Sequence, residues 1–328
     1  MGMRTVGIVL ALAVSVGCRP MGIGLGMDSL ADAGRAASDL PAVDSQVDFP
    51  RDLGPRPDLR ALTFNTHLFF DAVCDSGHCG VSDFEQVPTP TQLSTRADAV
   101  AMALRSLSAD VVSLQEIENQ NALDVLTSRL RDLYPTMVLG ETGLPGSIDV
   151  AVLGRGTLLE VRRHRSQALT RPDGTTTYFS RELLEVHQRV AGQRVVLFAA
   201  HFRSKVSDDP GRRLAEAQAA RDLVLKTARE FPEAVVLLGG DLNDTPGSPP
   251  LDALESAPDL LRVAKDRPLS AVATYSWNGS AQAIDHLFVV RSAKASYLSG
   301  SAAAQHDSTR FGLAGSDHAA LLADFAVH

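Results

Sequence analysis

Short apolar runs alternate with helical patterns from about residue 59 to the end of the chain. The runs that predict buried strands lie at 60–65, 110–114, 149–153, 194–200, 235–238, 284–290 and 319–325, and a more polar strand is predicted at 178–187. Apolar residues three or four positions apart predict two helices: one over Ala97, Val100, Ala101, Leu104 and Leu107, with Ser94 or Thr95 as its N-cap, and one over Ala217, Ala220, Val224 and Ala228. This alternation predicts a domain of mixed α/β layers.

The composition is that of a large globular domain. The chain has 328 residues, of which 45% are hydrophobic, and can therefore bury the core of one large domain. Its formal net charge is -8, so it has no general positive field that would attract polyanions. A nucleic acid or another polyanionic substrate would have to be bound by local groups.

The first residues are typical of an export signal. Arg4 is followed by an uncharged, mostly apolar stretch at 5–17 and then by Cys18, which is too short a stretch to span a bilayer. Residues 1–18 resemble a bacterial lipoprotein signal, in which Cys18 would be acylated. Because Ser15 stands where that pattern prefers leucine, an ordinary cleaved signal is the alternative. The protein is expected to be exported, either lipid-anchored at the cell envelope or secreted.

The region after the signal is predicted to be a tether. Residues 19–58 are rich in Gly, Pro, Ala and Asp without a sustained period, so a flexible tether is expected there and the catalytic domain at 59–328. Cys74 and Cys79 lie in a turn-rich loop that an oxidising compartment would join by a disulfide. A metal site that includes His78 is the alternative.

Polar residues stand where the predicted strands end or begin. They are Asn65, Glu116, His201, Asp241, Asn243, Asp285, Asp317 and His318. Loops at the edge of a rigid sheet are where binding and catalytic groups collect. Any one of these residues could be an ordinary turn former or cap, but the complete set indicates a site.

The chemistry that these residue types favour is phosphodiester hydrolysis. The reaction needs a positioned water, neutralisation of charge on the phosphate oxygens, and help for the leaving oxygen. A hard divalent cation held by carboxylates meets the second need. Glu116 is the first choice for the main ligand, and Mg²⁺ is the expected ion, with Mn²⁺ or Ca²⁺ as alternatives.

Asp285 and His318 are candidates for a dyad. The carboxylate would fix the imidazole tautomer, so that His318 could take a proton from the attacking water. Asp241 and Asn243 are expected to orient that water and the phosphate.

The segment 201–205 would supply substrate contacts. His201 offers a second imidazole, and Arg203 and Lys205 form a basic flank for substrate oxygens. Arg96 is expected at the surface or in a structural ion pair. Tyr275 and Trp277 are expected to pack in the core, with stacking on a base as the alternative.

These motifs resemble the endonuclease/exonuclease/phosphatase superfamily. The resemblance is carried by Thr63-Phe64-Asn65, Gln115-Glu116, the segment 200–205, Gly240-Asp241-Leu242-Asn243, Ile284-Asp285-His286 and Ser316-Asp317-His318. It implies a DNase I-like, four-layer α/β sandwich of two mixed β-sheets flanked by helices. By position the resemblance implies that Glu116 binds Mg²⁺, that Asp317 stands beside the metal, and that Asn65 supports the metal ligand or the phosphate. It implies that His201 contacts the phosphate. It also implies that Asp241 and Asn243 handle the nucleophile and that Asp285 pairs with His318. His67 stands where aspartate is frequent in one branch, which leaves the second metal contact open.

The expected function is that of an exported, metal-dependent nuclease acting on DNA or RNA. A phospholipid or small-molecule phosphodiesterase or phosphatase of the same superfamily is one alternative. An inactive, lipid-tethered binding protein on this scaffold is another. Membrane contact is expected only through acylated Cys18, and nothing in the sequence indicates a protein partner.

Overall fold

The computed structural model describes residues 57–206, 208–292, 294–308 and 310–328. The export signal, the acylation site at Cys18 and the tether up to residue 56 lie outside the described residues, so those three remain predictions. Within the described ranges, no helix combines the length and the apolar character needed to cross a bilayer.

The strands are numbered in chain order. The first nine are β1 (Leu59–Phe69), β2 (Val111–Ile117), β3 (Thr136–Gly140), β4 (Asp149–Gly154), β5 (Thr157–Arg163), β6 (Leu169–Thr170), β7 (Thr176–Thr177), β8 (Leu184–Val190) and β9 (Gln193–His201). The others are β10 (Val235–Asp241), β11 (Leu260–Arg262), β12 (Tyr275–Trp277), β13 (Ser280–Gln282), β14 (Asp285–Val290), β15 (Ala295–Tyr297), β16 (Ala303–Gln305) and β17 (Ala320–Val327). The helices are α1 (Pro90–Leu107), α2 (Gln120–Thr127), α3 (Pro210–Glu230), α4 (Pro249–Glu255) and α5 (Leu269–Val272), with a 3-10 helix at Val263–Asp266.

Two large mixed sheets dominate the fold. Sheet A has the order β15-β17-β1-β2-β4-β3, with β16 also paired to β17, and sheet B has the order β11-β14-β10-β9-β8-β5. Each sheet contains one parallel pair, β1 with β2 in sheet A and β9 with β10 in sheet B. An antiparallel strand flanks each pair next to the site, β17 beside β1 and β14 beside β10.

Three apolar layers hold the sheets and helices together. Leu62 and Phe64 of β1 pack against α1 and α2, whereas Ala61 faces sheet B, because successive strand residues point to opposite faces. On the far side of sheet B, Val236 and Leu238 pack with the apolar face of α3 and with α4. The expected four-layer sandwich of two mixed β-sheets flanked by helices is confirmed.

Two predicted boundaries were wrong. The strand predicted at 178–187 begins only at Leu184, because the Ser180 N–H donates to Glu216 Oε1 (2.6 Å) instead of to a neighbouring strand. Helix α1 is capped by Thr89 rather than by Ser94 or Thr95. Thr89 and Gln92 form a capping box in an exposed first turn, where no apolar spacing marks the helix.

The expected disulfide joins Cys74 and Cys79, whose Cα atoms are 6.0 Å apart. Because the two sulfurs bond to each other, the alternative metal site with His78 is not formed. The disulfide closes a loop that follows β1 and lies close to the polar edge of sheet A.

Candidate active site

The topology brings the predicted site residues to one edge shared by both sheets. The parallel pairs β1–β2 and β9–β10 end at this edge, and the antiparallel strands β17 and β14 begin there. Asn65, Glu116, His201 and Asp241 therefore lie at strand ends, while Asp285 opens β14 and residues 316–318 immediately precede β17. The hydrogen bond from Asn65 of β1 to Asp241 of β10 confirms that this edge is common to the two sheets.

Asn65 connects the two sheets. Its Nδ2 donates to Glu116 Oε1 (2.9 Å) and to Asp241 Oδ2 (3.0 Å), so one buried amide bridges a carboxylate of each sheet. Its backbone carbonyl accepts from Ser316 Oγ (2.7 Å), and the same hydroxyl accepts from the His318 N–H (3.0 Å). Asn65 thereby holds Glu116, Asp241 and the segment 316–318 in fixed positions relative to one another.

Glu116 has a strained backbone that directs its side chain. Its φ is +63°, and the pairing of β2 with β4 shifts register between Gln115 and Ile117. A bulge of this kind re-aims a side chain at the end of a strand, and non-glycine residues in the left-handed region concentrate at functional sites. The carboxylate accepts from Leu68 N–H (2.7 Å), which holds it toward the end of β1.

His67 and Asp317 complete the part of the site that sheet A supplies, here called the sheet A side. His67 Nδ1 lies 3.1 Å from Asp317 Oδ1 and 3.9 Å from Glu116 Oε2, so the imidazole stands between two carboxylates. The side chains of His67 and Asp317 are 25% and 28% exposed, which leaves this part of the site open to solvent.

Arg96 supports this side from behind, which the sequence did not indicate. Its guanidinium donates to the backbone carbonyls of Thr66 and His67, and a Cβ added at Gly315 would lie 3.3 Å from Arg96 Nε. Burial lowers the pKa of Arg96 to about 10, although the charge of Asp317 opposes the shift. The sequence did not indicate the contact with Thr66, since spacing along helix α1 does not reveal a backbone contact 30 residues away.

Asp241 is the centre of the sheet B side. Its Oδ1 accepts from the Asn243 N–H (2.8 Å), and its Oδ2 lies 3.8 Å from His201 Nε2 and 3.9 Å from His318 Nε2. Asn243 has a φ of +53°, and its Nδ2 donates to Phe202 O (3.2 Å). The preceding Gly240 is required, because a Cβ there would lie 2.0 Å from Ala200 O.

Asp285 and His318 form the expected pair. His318 Nδ1 lies 2.8 Å from Asp285 Oδ2, and Thr274 Oγ1 accepts from the Asp285 N–H (3.1 Å). Because Nδ1 is bonded to the carboxylate, Nε2 is the ring nitrogen that faces Asp241. The geometry thus fixes which imidazole nitrogen is available to a reactant.

Burial changes the acid–base properties of this side. Burial, with the charge of Asp285, raises the pKa of Asp241 to about 7. Burial alone would lower the pKa of His318, but the carboxylates of Asp285 and Asp241 outweigh it and raise that pKa well above its ordinary value. Near neutral pH, Asp241 can accept a proton while His318 is held as the imidazolium.

Arg203 and Lys205 follow β9 and contact Glu216 and Asp244. Arg203 is buried, and its backbone N–H donates to Glu216 Oε2 (2.7 Å). Lys205 Nζ pairs with Asp244 Oδ1 (2.7 Å), but its side chain remains 49% exposed. Of the two predicted substrate contacts, Lys205 is the accessible one.

The aromatic residues expected in the core are not buried. The ring of Tyr275 lies 4.8 Å from that of His318, and Trp277 on the same hairpin is 55% exposed. The prediction of core packing was wrong, because β12 pairs only with β13 and packs over the site instead of entering a sheet. His286 on β14 is buried, and its Nε2 lies 2.9 Å from Asp244 O.

Two groups at this edge have the chemistry of metal ligands. Asp241, Asp285 and His318 place ligand atoms within 4.8 Å of one another, but that proximity comes from the Asp285–His318 hydrogen bond, which occupies Nδ1. The carboxylates of Glu116 and Asp317 instead both lie near His67 Nδ1, at 3.9 Å and 3.1 Å. Two carboxylates that face one point from an open side fit a hard divalent cation better than a buried dyad does.

The model of the endonuclease/exonuclease/phosphatase family matches residues 62–318, and the chain belongs to that family. Members of the family are hydrolases that act on phosphodiester bonds, and they typically use a divalent metal. Comparison with curated protein sequences gives no significant match.

Solved structures share the fold at low sequence identity. D. rerio TDP2 complexed with a single-strand DNA product has a TM-score of 0.58 at 15% identity, over 82% of this chain and 99% of that one. The human Nocturnin catalytic domain with bound sulfate has a TM-score of 0.56 at 15% identity, over 82% and 94%. Sphingomyelinase C from Streptomyces griseocarneus has a TM-score of 0.53 at 19% identity, over 81% and 98%. These similarities establish the DNase I-like fold.

Proposed function

We propose that the protein is an exported nuclease that hydrolyses phosphodiester bonds of DNA or RNA with a divalent metal. The observation that carries the proposal is the bridge made by Asn65, which joins the carboxylate of Glu116, next to the partly exposed His67 and Asp317, to the buried Asp241 beside the Asp285–His318 pair. A site with carboxylate ligands for a cation and a site for proton transfer therefore lie next to each other.

The residues of the sheet B side handle the proton. Asp241, with a pKa raised to about 7 by burial and Asp285, can accept the proton of an attacking water that the neighbouring Asn243 helps to orient. His318, kept protonated by Asp285, presents Nε2 to the phosphate oxygens instead of acting as the base. This division is an alternative to the sequence-based expectation that His318 takes the proton.

The residues of the sheet A side would hold the metal. Glu116 and Asp317 would supply its carboxylate ligands, with Asn65 holding Glu116 in place. The bound ion would neutralise charge on the phosphate and polarise it toward attack. Mg²⁺ is the proposed ion because the facing donors are carboxylate oxygens.

Groups around the site support the proposal that the substrate is a nucleic acid. Tyr275 lies against His318 and Trp277 is exposed nearby, so this hairpin offers aromatic faces on which bases can stack. Lys205 adds an accessible positive charge for the backbone of the substrate. The fold is shared with a protein whose structure holds a single-strand DNA product.

A phospholipid phosphodiesterase is the second candidate. The exposed Trp277 on a short hairpin could equally enter the surface of a bilayer, and the predicted acylation of Cys18 would keep the enzyme at a membrane. A sphingomyelinase shares the fold.

The substrate test compares three classes directly. The full chain is incubated with DNA, RNA and sphingomyelin or phosphatidylcholine vesicles, with Mg²⁺ or with EDTA. We expect cleavage of a polynucleotide that stops in EDTA and in the variant H318A, but continues in the control D259N, which changes an exposed aspartate. Hydrolysis of lipid alone would select the second candidate, and no turnover of any substrate would favour a binding protein.

The location at the cell envelope is part of the proposal. In cells, the wild-type chain is expected to partition with membranes and to incorporate labelled fatty acid, whereas C18S is not. A wild-type chain that is secreted without label would indicate an ordinary cleaved signal.

A further inference from the structure

Three acidic side chains meet next to the disulfide loop, outside the active site. Asp71 and Asp75 lie on the loop after β1, and Glu118 follows the end of β2. One carboxylate oxygen from each lies within 4.8 Å of the others. Asp71 and Glu118 are buried, and Asp75 is exposed.

Local hydrogen bonds hold the three carboxylates in place. Asp71 N–H donates to Glu118 Oε2 (2.7 Å), and Val73 N–H donates to Asp71 Oδ1 (2.7 Å). Asn119 Nδ2 donates to Asp71 Oδ2 (3.2 Å) and to Asp75 Oδ2 (2.8 Å). The cluster is therefore preorganised by neutral donors.

One oxygen of the cluster lacks any partner. Glu118 is 2% exposed, and its Oε1 makes no hydrogen bond with the residues that the structure describes. Within the same residues, none of the three carboxylates has a salt bridge to lysine, arginine or histidine. A buried carboxylate oxygen without a partner is costly, and a bound cation would relieve that cost.

We propose that Asp71, Asp75 and Glu118 form a second cation site that binds Ca²⁺. Only oxygen ligands face it, which excludes a preference for softer metals, and the disulfide removes Cys74 and Cys79 as thiolate ligands. Exposed Asp75 leaves one side open, so waters can complete the large and flexible coordination shell of Ca²⁺.

The bound ion would connect the disulfide loop to the active site. Glu118 is two residues from Glu116, and Asp71 is three residues from Leu68, whose N–H holds the Glu116 carboxylate. The N-cap of α2, Asn119, also contacts the cluster. A cation here would join these three segments and stabilise the end of sheet A.

The experiment measures Ca²⁺ binding by the metal-stripped full chain, with Ca²⁺ alone as the probe. Equilibrium dialysis and the melting temperature are compared for the wild type, E118Q and E141Q. We expect Ca²⁺ at 100 times its Kd to raise Tm by about 5 °C in the wild type and in the exposed-site control E141Q. In E118Q the rise should disappear and one Ca²⁺ per chain should be lost.

A second variant covers the case in which E118Q does not fold. D75N changes an exposed ligand and should weaken Ca²⁺ binding about tenfold or more while leaving the metal-free Tm unchanged. Wild-type Ca²⁺ binding that survives in both E118Q and D75N, or no binding at millimolar Ca²⁺, would overturn the proposal. Neither readout depends on hydrolysis, so the result is separate from the proposed nuclease activity.

Discussion

Sheet A and sheet B each bring one parallel strand pair to the candidate active site, but they bury their side chains to different degrees. On the sheet A side, His67 and Asp317 are about a quarter exposed. On the sheet B side, the side chains of Asp241 and Asp285 are 3% and 0% exposed. Similar strand arrangements therefore produce one open and one enclosed half of the site.

The difference separates two kinds of chemistry. An open half can admit a hydrated cation and a phosphate, because waters can leave and return. An enclosed half shifts pKa values, because burial penalises charge, and this is how Asp241 gains a pKa of about 7. Asn65, which donates to both halves, keeps the ligand side and the proton-transfer side at a fixed distance.

The largest effect is expected from Asp241→Asn in the enclosed half. Removing the proton acceptor should lower kcat by about 10³-fold or more, and added metal should not restore it. Asn removes a buried charge at the same size but can accept only one of the hydrogen bonds from Asn243 N–H and Asn65 Nδ2. These two effects oppose each other, so the melting temperature should change little. Steady-state kinetics across a metal titration check this, with D259N as the control; a loss below tenfold would remove Asp241 from its role.

A smaller and metal-dependent loss is expected from Glu116→Gln in the open half. The loss of a carboxylate ligand should weaken the apparent metal affinity by about tenfold or more and lower the rate about 10²-fold at limiting metal. Raising the metal concentration should recover part of this rate, unlike in D241N. E141Q is the matched control, and an E116Q variant with the metal dependence of the wild type would contradict the division of the site into halves.

The smallest effect is a shift in pH dependence for Asp285→Asn. His318 must stay protonated, and the Asp285 carboxylate keeps its pKa well above the ordinary value, so the alkaline limb of the wild-type activity falls as pH rises through that raised pKa. Without the carboxylate the pKa of His318 drops, and the descending limb of the profile should move to lower pH. At high pH, kcat/KM should then be about tenfold lower for each pH unit by which that limb moves. Profiles of kcat/KM against pH test this, and an unmoved descending limb would show that His318 is not the group observed.

The sequence predicted most of the central strands, because each is a run of residues whose alternation or apolar character is local. Runs such as 235–238 predict strand β10, and the polar residue that follows, Asp241, is then placed at a sheet edge. It did not predict edge strands such as β5 or the eight-residue helix α2, whose patterns are short or mixed. The N-cap of α1 was misplaced for the same reason, since its first turn is exposed.

The sequence alone determined which chemical groups the site contains and at which strand ends they lie. Tertiary structure decided how those groups behave: the buried surroundings of Asp241, the left-handed backbone of Glu116, the support of Thr66 and His67 by Arg96, and the position of Tyr275 over His318. The physical reason is the separation along the chain of the residues that interact. Strand formation follows from neighbouring residues, whereas pKa values and side-chain positions depend on groups that are distant along the chain and meet only after folding.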